Sequence, residues 1–105
     1  MKVKLLIDTS DNKLIKVGLI IDGKEHLVQQ EVDARRAQVV LPLVEQLLKE
    51  HKLELKDVTG IEVNVGPGSF TGLRVGVAIA NTLGFLLKIP INGKKVGEFV
   101  EPVYR

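Results

Sequence analysis

"VNVGPGSFTGLRVGVA", Val63 to Ala78, packs four glycines, a proline and two hydroxyl side chains between apolar runs. A strand that passes through a glycine-rich turn into a helix is a common way to hold phosphate, because the helix start offers unpaired N–H groups. The specific phosphate motifs fail here. The Walker pattern needs G-x-x-x-x-G-K-[ST]. From Gly66 the sixth residue is Thr71, and after Gly72 comes Leu73 where lysine belongs. The dinucleotide pattern G-x-G-x-x-G fits Gly66 and Gly68 but meets Thr71 at its third glycine. What remains is generic: Gly66-Pro67-Gly68 turns tightly, Ser69 or Thr71 caps the helix, and the N–H groups there favour an anion. Two readings stand, a structural turn or an anion or nucleotide contact through Gly68 and Ser69.

The flanking elements set the architecture. "VKLLID" (Val3–Asp8) and "LIKVGLII" (Leu14–Ile21) are β-branched runs separated by the turn-rich "TSDNK". Asp22-Gly23 then precedes "KEHLVQQEV" (Lys24–Val32), and Asp-Gly between strand patterns is a strong hairpin signal. A three-stranded antiparallel meander is expected over the first 32 residues. Asp33 can cap a helix that runs to about His51. "IEVNV" (Ile61–Val65) reads as a short buried strand, and a second helix follows from about Gly72 to Lys88, ended by Pro90. The order β-β-β-α-β-α, plus a short C-terminal strand or tail, predicts an α/β domain with helices on a mixed sheet. That order resembles the ribonuclease-H-like fold shared by actin and Hsp70-type ATPases.

On the first helix Ala37, Val40, Leu41, Val44, Leu47 and Leu48 share one stripe, expected to face the sheet. Val39 and Leu43 lie outside it, and Pro42 removes one helical hydrogen bond, which predicts a kink or a late start. On the second helix Arg74, Asn81 and Lys88 recur every seven residues as a narrow polar wedge, and nearly everything else is apolar or small. Gly76, Ala80 and Gly84, with Val77 beside them, form a smooth strip where another helix could approach closely. That strip faces either the protein's own sheet or another subunit. The interface reading assigns Val39, Leu43, Arg74, Gly76, Val77, Ala80, Asn81 and Gly84 to a partner contact, since exposed apolar patches mark interfaces.

Composition excludes several classes. The chain has 105 residues, one domain by length, and 45% are hydrophobic, enough for a core. Fifteen Lys and Arg against 13 Asp and Glu leave a formal charge of +2 without a basic cluster, so unaided nucleic-acid binding is not supported. Aromatics are Phe70, Phe85, Phe99 and Tyr104, too scattered for a base-stacking platform. The absence of cysteine excludes disulfides and thiolate chemistry and suits a reducing cytoplasm. No signal peptide opens the chain, and Val75–Leu87 reads as too short and interrupted to span a bilayer.

Acid–base and metal chemistry are poorly supported. A ribonuclease-H-like nuclease needs clustered carboxylates on its first strand, first helix and fourth strand. Asp8 supplies the first, but the fourth strand offers Asn64, and Glu45 sits away from the core stripe. His26 and His51 lie on different elements without ligand-like spacing, as a strand surface residue and a helix C-terminal cation. Asp8-Thr9-Ser10 ends the first strand as a turn cap, or as a phosphate contact through Asp8 and Ser10. No metal and no cofactor are expected.

"GPGSFTGLRVG" (Gly66–Gly76) closely resembles the signature of the TsaB family, the bacterial dimerisation subunit of the tRNA threonylcarbamoyladenosine machinery. "LLIDTS" (Leu5–Ser10), "LPLVEQLL" (Leu41–Leu48) and the closing "VEPVYR" (Val100–Arg105) are similar to that family's first strand, first helix and chain end. The resemblance implies an inactive relative of actin-like ATPases, cytoplasmic and free of membrane. It would pair through its helices with a TsaD-type catalytic subunit that modifies the tRNA adenosine beside the anticodon, assisted by a TsaE-type ATPase. tRNA would be met only through the complex. Two alternatives stay open, a nucleotide-binding or ATPase remnant using Asp8, Ser10, Gly68 and Ser69, and a self-associating homodimer. The pattern departs from the family in two places. "NGKKVGEF" (Asn92–Phe99) stands where a second domain is usual, which implies a single-domain, shortened form over residues 1–105. "ARRAQ" (Ala34–Gln38) replaces a common His-Ser pair.

Overall fold

Asp22 and Gly23 both adopt positive φ, 49° and 86°, the geometry of the tight turn whose twist matches that of the flanking strands. The turn joins β2 (Leu14–Ile21) to β3 (Lys24–Glu31), and β2 also pairs antiparallel with β1 (Val3–Asp8). The expected meander is therefore present, with β3 ending one residue earlier. The computed structural model describes residues 1–33 and 36–103. After β3 come α1 (Arg36–Glu50), a short 3-10 turn (Leu55–Asp57), β4 (Gly60–Val63) and α2 (Phe70–Leu87).

β4 pairs parallel with β1, giving the sheet order β3-β2-β1-β4. The chain after α2 then returns to the far edge of β4. Ile91 forms a parallel bridge with Ile61, and the Asn92 amide exchanges hydrogen bonds of 2.8 and 3.0 Å with the Val63 backbone. Residues 90–92 thus add a single bridge at that edge, before the chain turns at Asn92. The mixed sheet, the order of elements and the two crossovers are those of the ribonuclease-H-like architecture expected from the sequence.

Alternation decides which face is covered. Val3, Leu5 and Ile7 of β1 point to the helices, as do Ile15, Val17 and Leu19 of β2 and Ile61 and Val63 of β4. All are buried, each such side chain contributing about 1.5–3 kcal/mol by leaving water. The opposite face carries Lys4, Lys16 and Glu62, with a 3.2 Å ion pair between Lys4 and Glu62.

Several helix details differ from expectation. Pro42 lies inside α1, within a continuous helix over residues 36–50. The proposed cap at Asp33 leads into residues 34 and 35, outside the described residues. Val40, Val44, Leu47 and Leu48 are buried as expected, but Ala37 is exposed and Leu41 is 41% exposed. Those two lie on the flank of α1 that opens beside α2, whereas Val39 and Leu43 are half-buried against the core. α2 starts two residues earlier than expected, at Phe70, and is 18 residues long. By length and composition alone it could cross a membrane, which corrects the shorter span read from the sequence. In the fold one side of it packs onto the sheet.

Candidate functional site

β1 and the glycine loop end side by side. Ser69 donates its N–H to the Ser10 carbonyl at 2.7 Å, and a Cβ on Gly68 would overlap Ser10, so the two loops stack backbone to backbone. The Gly66–Pro67 peptide is cis. Ser69, not Thr71, is the N-cap, its hydroxyl accepting from the Gly72 N–H at 3.3 Å. The Gly66 N–H reaches the Asn64 side-chain oxygen at 2.9 Å. Three of the loop's N–H groups, those of Gly66, Ser69 and Gly72, are therefore donated to protein acceptors.

Thr9, the one buried polar side chain among the described residues, sits at the centre of this junction. Its hydroxyl donates to the Gly72 carbonyl and accepts from the Gly76 N–H at 3.0 Å. Those two backbone groups would pair with each other in a regular helix. Thr9 thus bridges a rung of α2 and pins the helix to the end of β1. Gly72 and Gly76 are what permit it, since a Cβ on either would collide with Thr9.

Asp8 and Ser10 do come together, as an Asx turn rather than an open pair. The Asp8 carboxylate accepts from the Ser10 N–H at 3.0 Å and from the Ser10 hydroxyl at 2.6 Å. The Ser10 hydroxyl in turn accepts from the Asn64 amide at 3.2 Å. Burial alone would raise the Asp8 pKa. The Ser10 hydrogen bonds, the Asn64 amide and the charge of Lys16 outweigh it, holding the carboxyl below its usual value. Asp8, Ser10, Gly68 and Ser69 are thus contiguous and knitted to one another. Among the described residues no group of three or more His, Cys, Asp or Glu is placed to hold a metal ion.

α2 turns part of the expected interface inward. Gly76, Val77, Ala80 and Gly84 are buried, with Ala80 at 0% exposure. A Cβ on Gly76 would meet Thr9 and Ile7, and one on Gly84 would meet Ile91. The small-residue strip faces the protein's own sheet, and the smallness serves that intramolecular approach. Asn81 is also engaged within the chain: it donates to the Val100 carbonyl and accepts from the Val100 N–H, both at 2.9 Å. It clamps the C-terminal tail, whose Val103 N–H bonds to the Val65 carbonyl at 2.6 Å. Of the eight nominated residues Arg74 is the one openly exposed, lying 5.5 Å from the Phe70 ring.

The outward face of α2 was missed. It carries Ala78, Ile79, Thr82, Phe85 and Leu86, with Phe85 64% and Leu86 66% exposed. Beside Leu41 of α1 these line a shallow groove of about 190 Å³ through Ala78, Ile79 and Thr82. Helical spacing put these residues in the apolar majority without saying which side the sheet would take. His26 and His51, on different elements and without ligand-like spacing, also meet, with ring centroids 4.3 Å apart.

The sheet order, the parallel β4 and the helix-bearing face define an actin-like, ribonuclease-H-like lobe. The family model of TsaD, tRNA N6-adenosine threonylcarbamoyltransferase, matches residues 17–93. The Bacillus subtilis tRNA threonylcarbamoyladenosine biosynthesis protein TsaB is 35% identical over 95% of this chain and 48% of its own length. The Escherichia coli protein of the same name is 33% identical over 85% of this chain and 38% of its own. Among solved structures, YeaZ from Pseudomonas aeruginosa superposes with a TM-score of 0.81 at 32% identity, covering 90% of this chain and 44% of that one. The chain belongs to this TsaD-type family, and within it to the TsaB proteins. It spans less than half the length of the relatives just described.

Proposed function

We propose that this chain is a non-catalytic partner subunit that pairs with a TsaD-type catalytic subunit in the threonylcarbamoylation of tRNA adenosine next to the anticodon. The observation that carries the reading is the outward face of α2 with the adjoining flank of α1: large apolar side chains left in water on a family member's helices. Such a patch gains by being covered. The 105 residues would act as a single lobe, in the cytoplasm, meeting tRNA only within the complex. A TsaE-type ATPase would join the assembly, and the same helix face would pair with a second copy where the catalytic partner is missing.

The knitted state of the glycine loop supports the scaffolding role over the nucleotide-binding one. Gly66, Ser69 and Gly72 already spend their N–H groups on protein oxygens, which a phosphate would have to displace. The loop instead sets the angle of α2 through Thr9, and that angle presents the outward face.

The test is co-purification with a TsaD-type protein, beside the variant Ile79→Asp. Ile79 is half-buried on the outward side, so the charge should abolish pairing while the variant's circular dichroism matches the parent. Pairing that survives Ile79→Asp would move the interface elsewhere. Calorimetric binding of ATP to the isolated chain, lost in Asp8→Ala, would favour the nucleotide-binding reading instead.

A further inference from the structure

His26 and His51 are 25 residues apart in sequence and touch in space. His26 is on the helix-bearing face of β3, where its strand neighbour across the register is Leu19, and His51 follows the last residue of α1. Their ring centroids are 4.3 Å apart with the planes tilted by 55°. Both rings are half-buried.

The hydrogen bonds leave nitrogen lone pairs for a ligand. The His51 Nδ1 lies 2.9 Å from the Leu47 carbonyl. A carbonyl can only accept, so Nδ1 carries the proton and the neutral ring keeps its lone pair on Nε2. Metal-binding histidines are typically oriented this way, with the non-ligating nitrogen donating to a backbone carbonyl. Among the described residues the His26 ring makes no hydrogen bond, and it can turn about its Cβ–Cγ bond to offer a nitrogen toward His51.

With a metal–nitrogen distance of about 2 Å, a ring centroid lies about 3.2 Å from the ion. Two rings at right angles about the ion then have centroids roughly 4.5 Å apart, and two at the tetrahedral angle roughly 5.2 Å apart. The observed 4.3 Å is nearer the right-angled value than the tetrahedral one. Tetragonal coordination by nitrogen is the preference of Cu²⁺ and Ni²⁺, whereas Zn²⁺ favours the tetrahedron. No third His, Cys, Asp or Glu joins the pair among the described residues, so water would fill the remaining positions of a bound ion.

We propose that His26 and His51 form a two-histidine site for a divalent transition metal of the Cu²⁺ and Ni²⁺ type, bridging β3 to the C-terminal end of α1. The site is at the far end of α1 from the glycine loop and does not depend on the scaffolding role proposed above. Because its two ligands come together only in the folded chain, binding also stabilises the fold.

The experiment is calorimetric titration of the full chain with NiCl₂, then CuCl₂ and ZnCl₂, beside His26→Gln and His51→Gln. One Ni²⁺ per chain is expected, each variant binding at least tenfold more weakly. Cu²⁺ should bind most tightly and Zn²⁺ less tightly than Ni²⁺. Ni²⁺ should raise the melting temperature of the parent and leave that of both variants unchanged. Metal-free melting curves verify that the variants fold. Should His51→Gln be unstable, His26→Gln decides alone, because among the described residues the His26 ring makes no hydrogen bond that a structural role would need. Unchanged Ni²⁺ affinity in His26→Gln overturns the proposal. One ion shared by two chains, or Zn²⁺ bound more tightly than Ni²⁺, overturns it as well.

Discussion

Both sides of α2 carry large apolar side chains, but its small residues are concentrated on one of them. The inner side presents Gly72, Gly76, Ala80 and Gly84 to the sheet, and its larger members, Leu73, Val77 and Leu83, fill the core around them. The outer side presents Phe70, Phe85 and Leu86 to water, with Phe85 edge-on to Phe99 at a centroid distance of 6.5 Å. The large apolar residues alone could not separate these faces, because both sides carry them. Size does, because a helix pinned by a hydroxyl set into its own ladder must lie very close to the strand below. Small residues therefore mark the contact already made, and bulky exposed ones the contact still open.

The strongest way to break this comparison is Gly72→Ala. In an exposed helix that exchange stabilises by about 1 kcal/mol. Here the new methyl would collide with the Thr9 backbone carbonyl, which cannot swing aside as a side-chain end can. Separating β1 from α2 should cost about 3 kcal/mol, at the upper end for overpacking, and lower the melting temperature by roughly 15 °C at the usual 4–8 °C per kcal/mol for a chain near this size. A melting temperature equal to the parent's would mean that α2 does not rest on Thr9.

Ala80→Leu follows with a smaller effect. Ala80 has no exposed surface, and three added carbons must displace core neighbours at about 1–3 kcal/mol. Calorimetric affinity for the partner, corrected for the folded fraction, should stay unchanged. A weakened affinity with an unaltered melting temperature would put Ala80 on the outer side.

Much of this was readable in the chain. The strand pattern, the Asp22-Gly23 turn and the Ser69 cap each follow from local rules: alternation, positive φ and a side-chain acceptor for a free N–H. The family resemblance of Gly66–Gly76 was also in the letters. Sidedness was not. It depends on where Thr9 from β1 lands on α2, a contact between residues more than 60 positions apart. The meeting of His26 with His51 and the clamp of Asn81 on Val100 are likewise products of chain crossing, which periodicity along one element does not encode. Asn81 stands out in the sequence as polar on an apolar helix, and the structure gives that oddity a partner within the chain.

Asn81→Ala tests the flank between the two sides. It removes both hydrogen bonds to Val100, a loss of about 1–2 kcal/mol at the usual net value of each. Amide exchange should accelerate at Val100 and Val103 while β1 and β2 keep their protection, since the tail can detach without opening the sheet. Protection lost uniformly along the chain would show that the tail is part of the core cooperative unit.

The smallest expected effect on folding comes from the outer side, and it carries the sharpest contrast. Ala78 is exposed, one helical position before Ile79 and two before the buried Ala80. Ala78→Leu adds the same three carbons as Ala80→Leu but into solvent, so stability should stay within about 0.5 kcal/mol of the parent. If the outer face is the docking surface, the added bulk should weaken pairing at least fivefold, the equivalent of about 1 kcal/mol. Arg74→Ala is the companion control: its contact with Phe70 is exposed and worth about 0.5–1 kcal/mol. The two leucine variants should therefore separate cleanly, one losing stability and the other losing affinity. If Ala78→Leu instead lowers the melting temperature as far as Ala80→Leu does, the outer face is not free in solution. A second copy would then already be covering it, and light scattering of the parent would show the dimer.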